Sequence, residues 1–313
     1  AEERQQLATI DYAGTVNISK SKSNIKLYKH QIEAITRLND NIIKSRRNHF
    51  GGMLVLPTGG GKTLTAGYWV AQNYLDKGKK VLWIAHRHEL LEQAKYTFHT
   101  KLAYNDIFLN KESFNYRIIS GIHDKPINIR KTDDIIFASK DSLQGDAFDY
   151  LYKNWIENNI NELLLIIDEA HHSTAKTYKR LIDNIKKRVN NKLIMLGLTA
   201  TPWRMAEKEK GLLKMVYPDD IQYSIDIRTL IKTGILSEPI FEDVETGINL
   251  IREAQLTKEQ IRKLQTSFGD FDSILGEKTA KIIAENKERN MLIVNQYLKN
   301  KDKYNKTIVF ALN

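Results

Sequence analysis

The chain has 313 residues, of which 42% are hydrophobic and 27% charged. That is room for roughly two domains at about 150 residues each, in an ordinary globular composition that argues against a disordered tail or a fibrous repeat. The absence of cysteine excludes a disulfide scaffold, thiol catalysis and cysteine-ligated zinc or iron–sulfur sites. The 48 Lys+Arg against 38 Asp+Glu, a net charge of +10, suit a polyanionic partner and nucleic acid first, with a lysine-rich solvated surface as the equal alternative.

Residues 1–24 are polar and Ser/Lys-rich and read as an N-terminal arm or linker. Apolar positions then recur at helical spacing from Leu27 through Ile32, Ala34, Ile35 and Leu38 to Ile42. Strands are expected at Gly52 to Leu56, Val81 to Ala85, Tyr116 to Ile119, Ile135 to Ala138, Leu163 to Ile167 and Leu193 to Leu198. Helices are expected between them at Thr65 to Leu75, Glu89 to Phe98 and Thr177 to Ile185. Near-continuous apolar strands alternating with helices predict an α/β fold, a parallel sheet with helices on both faces. In such a sheet chemistry belongs just beyond the carboxyl ends of the strands. After Arg204 the chain is mixed and charged, with strand patterns at Pro239 to Val244 and Thr307 to Leu312 and a charged helical stretch from Thr257 to Lys303. No apolar run approaches the ~20 residues of a membrane span, and no leader-like segment opens the chain. It begins at Ala1 and stops directly after an apolar run, which reads as cut at both ends.

The first chemical motif follows the first expected strand. Pro57-Thr58-Gly59-Gly60-Gly61-Lys62-Thr63 is a glycine-rich turn, then Lys-Thr, then a helix. Consecutive glycines let backbone N–H groups converge on phosphate oxygens, the helix N-terminus adds its partial positive charge, and Lys62 reaches the β/γ-phosphates. The Thr63 hydroxyl is placed to ligate Mg²⁺. The strict phosphate-loop pattern wants Gly where Leu56 stands, so a plain glycine-rich surface turn stays open at this point. The second motif, Asp168-Glu169-Ala170-His171-His172, ends the Leu163 to Ile167 strand. Two carboxylates at a buried strand end are costly unless they hold a cation. In a phosphate-loop enzyme Asp168 would hold Mg²⁺, and Glu169 would act as general base on the attacking water. The alternatives are acids that merely open a helix and, from the two histidines, a metal site.

With these placed, the chain resembles the superfamily 2 helicases and translocases, nearest the DEAH-type branch of restriction-enzyme motor subunits, from about Leu27 to Asn313. The family writes its phosphate loop with Pro57 and without a glycine at Leu56. Asp168-Glu169-Ala170-His171 matches its second motif letter for letter, which adds His171 to the catalytic set. Thr199-Ala200-Thr201-Pro202, followed by Trp203-Arg204, matches its third, which puts Thr199 and Thr201 in coupling. Gln31, in Leu27-Tyr28-Lys29-His30-Gln31, stands where the family reads adenine. Ala85-His86-Arg87-His88-Glu89 and Phe137-Ala138-Ser139-Lys140-Asp141 occupy strand-end positions that touch nucleic acid, which implicates His86, Arg87, Ser139 and Lys140. Where Lys140 stands the family more often has Gln.

The resemblance implies a RecA-like ATPase domain over residues 25–238, a helical linker over 239–304 and the first strand of a second RecA-like domain over 305–313. It implies ATP and Mg²⁺ as cofactors, with Thr58, Gly59, Gly60, Gly61, Lys62 and Thr63 around the phosphates. The expected activity is ATP-driven movement on nucleic acid, DNA before RNA, in restriction, phage defence or repair. A fused or separate nuclease or effector is an expected partner, and a cytoplasmic location in a bacterium or phage is expected. The competing readings are an RNA-dependent ATPase, a nucleotide-gated defence scaffold and a generic phosphate-loop kinase.

Overall fold

The computed structural model describes residues 11–45, 47–157, 162–189, 192–200 and 207–242, and beyond them 257–258, 281, 284–304 and 306–309. The chain divides into two compact units, Ala1–Glu238 and Pro239–Asn313. The first is built on one eight-stranded sheet of order β1-β4-β5-β3-β6-β7-β2-β8. The strands are β1 (Ala13–Asn17), β2 (His49–Val55), β3 (Lys80–Ala85), β4 (Ser113–Ile119), β5 (Ile135–Ser139), β6 (Glu162–Asp168), β7 (Lys192–Thr199) and β8 (Ile221–Ser224). All neighbouring pairs are parallel except β1 against β4.

The central strands are apolar at consecutive positions because both faces are covered, and alternate side chains enter two separate cores. One core takes Leu54, Trp83, Phe137, Leu164, Ile166 and Leu196. Three helices seal it: α1 (Lys29–Leu38), α2 (Lys62–Asn73) and α3 (His88–Tyr96), through residues such as Ala34, Trp69 and Leu91. The other core takes Met53, Leu82, Ile84, Leu165, Ile167 and Met195. Its cover is α4 (Asp146–Leu151), α5 (Lys176–Arg188) and α6 (Glu207–Val216), through Phe148, Leu181, Ile185 and Leu213. The short α7 (Ile227–Lys232) follows β8.

All six expected strands form, within a few residues of their expected bounds. Two further strands are findings. Ala13–Asn17, inside the stretch read as an arm, pairs antiparallel with β4. Ile221–Ser224, inside the stretch read as mixed and charged, pairs parallel with β2. Both lie at the sheet edges, where one flank meets solvent and the apolar signal is weak.

In the second unit Asn286 caps α8 (Lys287–Lys299) by accepting from the Arg289 N–H, and α9 (Lys301–Tyr304) follows. The Tyr304 hydroxyl donates to Glu242 Oε2 at 3.1 Å, and Lys303 pairs with the same carboxylate. Residues 239–242 and 307–309 form no strand, contrary to expectation. Residues 243–244 and 310–312 of those expected strands lie outside the described residues. Among the described residues no helix is long and apolar enough to cross a membrane.

Candidate active site at the carboxyl ends of the strands

The sheet order brings the ends of β6, β7 and β2 side by side, although β2 and β6 are more than a hundred residues apart in sequence. The loop from Pro57 to Gly61 leaves β2 and enters α2 at Lys62. Two of its glycines have positive φ, Gly59 at 82° and Gly61 at 79°, where a side chain would be strained. Around the loop the chain is close-packed. A Cβ on Gly61 would stand 2.2 Å from Gln31 Nε2, one on Gly59 2.7 Å from Leu236 Cδ2, and one on Gly60 3.1 Å from Leu230 Cδ1.

Lys62 projects from the first turn of α2 toward β6. Its Nζ lies 2.5 Å from Glu169 Oε1 and 3.3 Å from Asp168 Oδ1. Glu169 has φ 52° and ψ 54°, the left-handed region, which costs a side-chain-bearing residue about 1 kcal/mol or more. That turn lets consecutive carboxylates address one ammonium. Asp168 is only 2% exposed, and burial pushes its carboxyl up while Lys62 pulls it down. A buried carboxylate left short of positive charge is an environment that a cation completes. The hard oxygen donors Asp168 and Thr63 fit Mg²⁺ in kind.

The third strand end closes the group. Thr199 is the last residue of β7 and fully buried. Its Oγ1 lies 3.1 Å from His171 Nδ1, and the same nitrogen is 3.3 Å from Glu169 Oε2. Burial and the neighbouring His172 lower the His171 pKa, so this imidazole is neutral at pH 7. His171 therefore touches the proposed base on one side and the end of β7 on the other. The expected coupling partner Thr201 lies outside the described residues.

Gln31 is 3% exposed and reaches the loop, but its Oε1 already accepts from the Tyr28 N–H at 2.9 Å. Only its Nε2 faces Gly61. The expected nucleic-acid residues divide. Arg87, just after β3, is exposed. The His86 ring instead packs on that of His172 at 4.6 Å, and His172 on His171 at 4.1 Å, a file of imidazoles running from the end of β3 to the acidic motif. Ser139 is buried and donates to Ser142 Oγ at 2.8 Å. Lys140 pairs with Asp141.

Three residues in contact with the loop were not singled out from the sequence. His30 Nε2 lies 2.9 Å from the Gly60 carbonyl, so that nitrogen carries the hydrogen and donates. The signal was its place beside Gln31 on α1. Leu230 and Leu236 cover the glycines from the far side, and nothing in their mixed, charged surroundings marked them. The contact at Gly61 carries a prediction. Gly61→Ala should lower stability by about 1–3 kcal/mol and weaken nucleotide binding, through left-handed strain and the clash with Gln31. Adding Gln31→Ala should recover only the steric part. Thermal melting and nucleotide titration of the three variants check this, and an unchanged Gly61→Ala protein contradicts it.

Residues 24–204 match the family of type III restriction enzyme res subunits. The chain belongs to this family. A Saccharomyces cerevisiae protein named as an ATP-dependent helicase, IRC3, is 32% identical over 202 residues, which are 62% of this chain and 26% of that one. A Schizosaccharomyces pombe protein named as a mitochondrial ATP-dependent helicase is 25% identical over 261 residues, 82% of this chain and 37% of that one. The chain thus spans about a quarter to just over a third of the length of these relatives. Both are yeast proteins and give no support to a bacterial or phage source. Among solved structures, a Pyrococcus furiosus Hef helicase domain aligns at 19% identity and a TM-score of 0.46, covering 86% of this chain and 54% of that one.

Proposed function

We propose that this restriction-subunit-family chain hydrolyses Mg-ATP as the first RecA-like domain of a DNA motor. The observation that carries the proposal is Lys62 held at 2.5 and 3.3 Å from two carboxylates, with His171 joining one of them to the end of β7. Phosphate oxygens on the Gly59, Gly60 and Gly61 turn would meet backbone N–H groups and the Thr58 backbone, and Lys62 would turn from Glu169 to the γ-phosphate. Thr63 and Asp168 would hold Mg²⁺, which when bound neutralises phosphate charge. Glu169, released from Lys62, would take the proton of the attacking water. His171 and Thr199, with Thr201, would pass the state of Glu169 to the next domain. Gln31 would read adenine by its Nε2 edge.

On this reading residues 25–238 are the first motor domain, which accords with the unit boundary after Glu238. Residues 239–304 would be a linker, and 305–313 the entry to a second RecA-like domain. Arg87 would touch nucleic-acid phosphates, while Ser139 and Lys140 would do so only after leaving their present partners. DNA is favoured over RNA because of the restriction-subunit membership, which also makes a fused or separate nuclease or effector a fitting partner. Steady-state phosphate release, titrated with matched DNA and RNA duplexes across salt, tests the proposal. DNA should raise turnover, and the stimulation should fade as salt rises. Stimulation by RNA alone would transfer the reading to an RNA-dependent ATPase. Tight ATP binding with slow turnover indifferent to either duplex would favour a nucleotide-gated scaffold.

A further inference from the structure

The chain's positive charge is not spread evenly. Helix α5 carries six cations, Lys176, Lys179, Arg180, Lys186, Lys187 and Arg188, against one acid, Asp183, a surplus of five out of the chain's net +10. Two of the six are engaged elsewhere. Arg188 pairs with Asp149 and lies 5.4 Å from the Phe148 and Tyr152 ring centres. Lys186 Nζ lies 3.4 Å from the Val216 carbonyl. Lys176, Lys179, Arg180 and Lys187 are exposed, and among the described residues none has an anionic partner.

Their spacing sets a direction. At 3.6 residues per turn, positions 176, 180, 183 and 187 fall on one stripe, so the lone acid Asp183 sits among the cations, opposite the buried Tyr178, Leu181, Ile182 and Ile185. Lys179 flanks that stripe. It runs about 17 Å along the helix, a length over which duplex DNA presents roughly ten phosphate charges. The first turn of the stripe works against the helix that carries it, while Lys187 in the last turn suits the helix dipole. Lys176 repels Lys179 and Arg180 at i+3 and i+4, and the first turn holds cations and no acid, against the helix dipole. Asp183, at i+4 from Lys179, i+3 from Arg180 and i−4 from Lys187, offsets part of this, and four exposed cations against that one acid leave the stripe with a surplus of three.

We propose that the exposed stripe of α5 is a docking surface for the phosphate backbone of duplex nucleic acid, separate from the strand-end edge that carries Arg87. This rests on the motor reading and extends it to a second contact. A duplex is favoured over a single strand because the stripe interleaves no exposed aromatic on which free bases could stack, Tyr178 being buried. Such contacts position a duplex without reading its sequence. Helix α5 is also the element that leaves the acidic motif, joined to Glu169 only by the short turn Ala170–Thr174 and Ala175. A duplex held there bears on the same segment as the proposed base.

The test is duplex binding by the 313-residue chain, followed by anisotropy of a labelled blunt duplex between about 50 and 200 mM salt. Replacing Lys176, Lys179, Arg180 and Lys187 with Gln together should reduce the slope of log affinity against log salt by about 3–4 and lower affinity at least about 10-fold at the low-salt end. Binding of an ATP analogue should hold, and the melting temperature should not fall. Glutamine at the exposed Lys20, Lys22, Lys77 and Lys101, an equal loss of charge, should change the slope by less than about 1. If the fourfold variant melts early, Lys187→Gln alone should still lower the slope by about 1. An α5 variant with the wild-type slope, alongside an Arg87→Gln variant that loses binding, overturns the proposal and leaves the motor reading intact. An α5 variant that keeps duplex binding but loses binding to polyglutamate overturns it in favour of an acidic protein partner. No salt-dependent duplex binding by the wild type overturns it and counts against the motor reading as well.

Discussion

Glu169→Gln should bind Mg-ATP about as tightly as the wild-type chain and hydrolyse it about 10²–10⁴ times more slowly. The amide keeps the shape of the side chain, and its oxygen can still accept from Lys62, which stands 2.5 Å away in the wild type. It cannot take a proton from water. The left-handed backbone at Glu169 is unaffected by the change, so the turn that presents the group is retained. The contact with His171 Nδ1 at 3.3 Å also survives, because the amide nitrogen that takes the place of Oε2 can donate to a neutral imidazole. Binding titrations with a non-hydrolysable analogue, beside single-turnover hydrolysis, separate the two effects. Equal loss of both would make Glu169 a binding group.

Lys62→Ala should instead lose binding and turnover together, each by about 10²-fold or more, because the γ-phosphate loses the cation this domain offers it. The folded state should survive. Without Lys62, Asp168 keeps a carboxyl that burial already pushes up, and it can take a proton in place of its lost partner. Removing one member of a buried pair can cost about 3–5 kcal/mol when the charge is stranded, and protonation avoids most of that. The linkage has a definite sign. A raised Asp168 carboxyl favours folding at low pH, and that contribution is lost as pH rises through the folded-state value. The loss should begin at the same pH in both proteins, but run to a higher pH and be larger in Lys62→Ala than in wild type, where Lys62 opposes the rise. Melting temperature against pH, measured for both proteins, reads this out.

The strands that carry the site were legible because a parallel strand buried on both faces is written as a continuous apolar run, as in Leu163–Ile167 and Leu193–Leu198. The phosphate loop and the acidic motif were legible because their chemistry restricts residue type at fixed spacing. The edge strands were not, since Ala13–Asn17 and Ile221–Ser224 are exposed on one flank and need no apolar run. Contacts made by common residues at a distance in sequence were not legible either. Nothing in a lone histidine says that His30 will hold the Gly60 carbonyl, or that His86 will turn to His172. The orientation of Gln31 is a third case, because the Tyr28 N–H competes for the oxygen that adenine would use.

If the ends of β2, β6 and β7 form an ATP-hydrolysing site that answers to nucleic acid, the general base and the DNA response should show in one assay. Phosphate release by the wild-type chain and by Glu169→Gln, side by side with and without duplex DNA, tests it most directly. Wild-type turnover should rise with DNA and fall back with salt, and the Glu169→Gln protein should stay at background with ATP bound. A Glu169→Gln protein that releases phosphate at the wild-type rate, or a wild-type rate that DNA leaves unchanged, would contradict it.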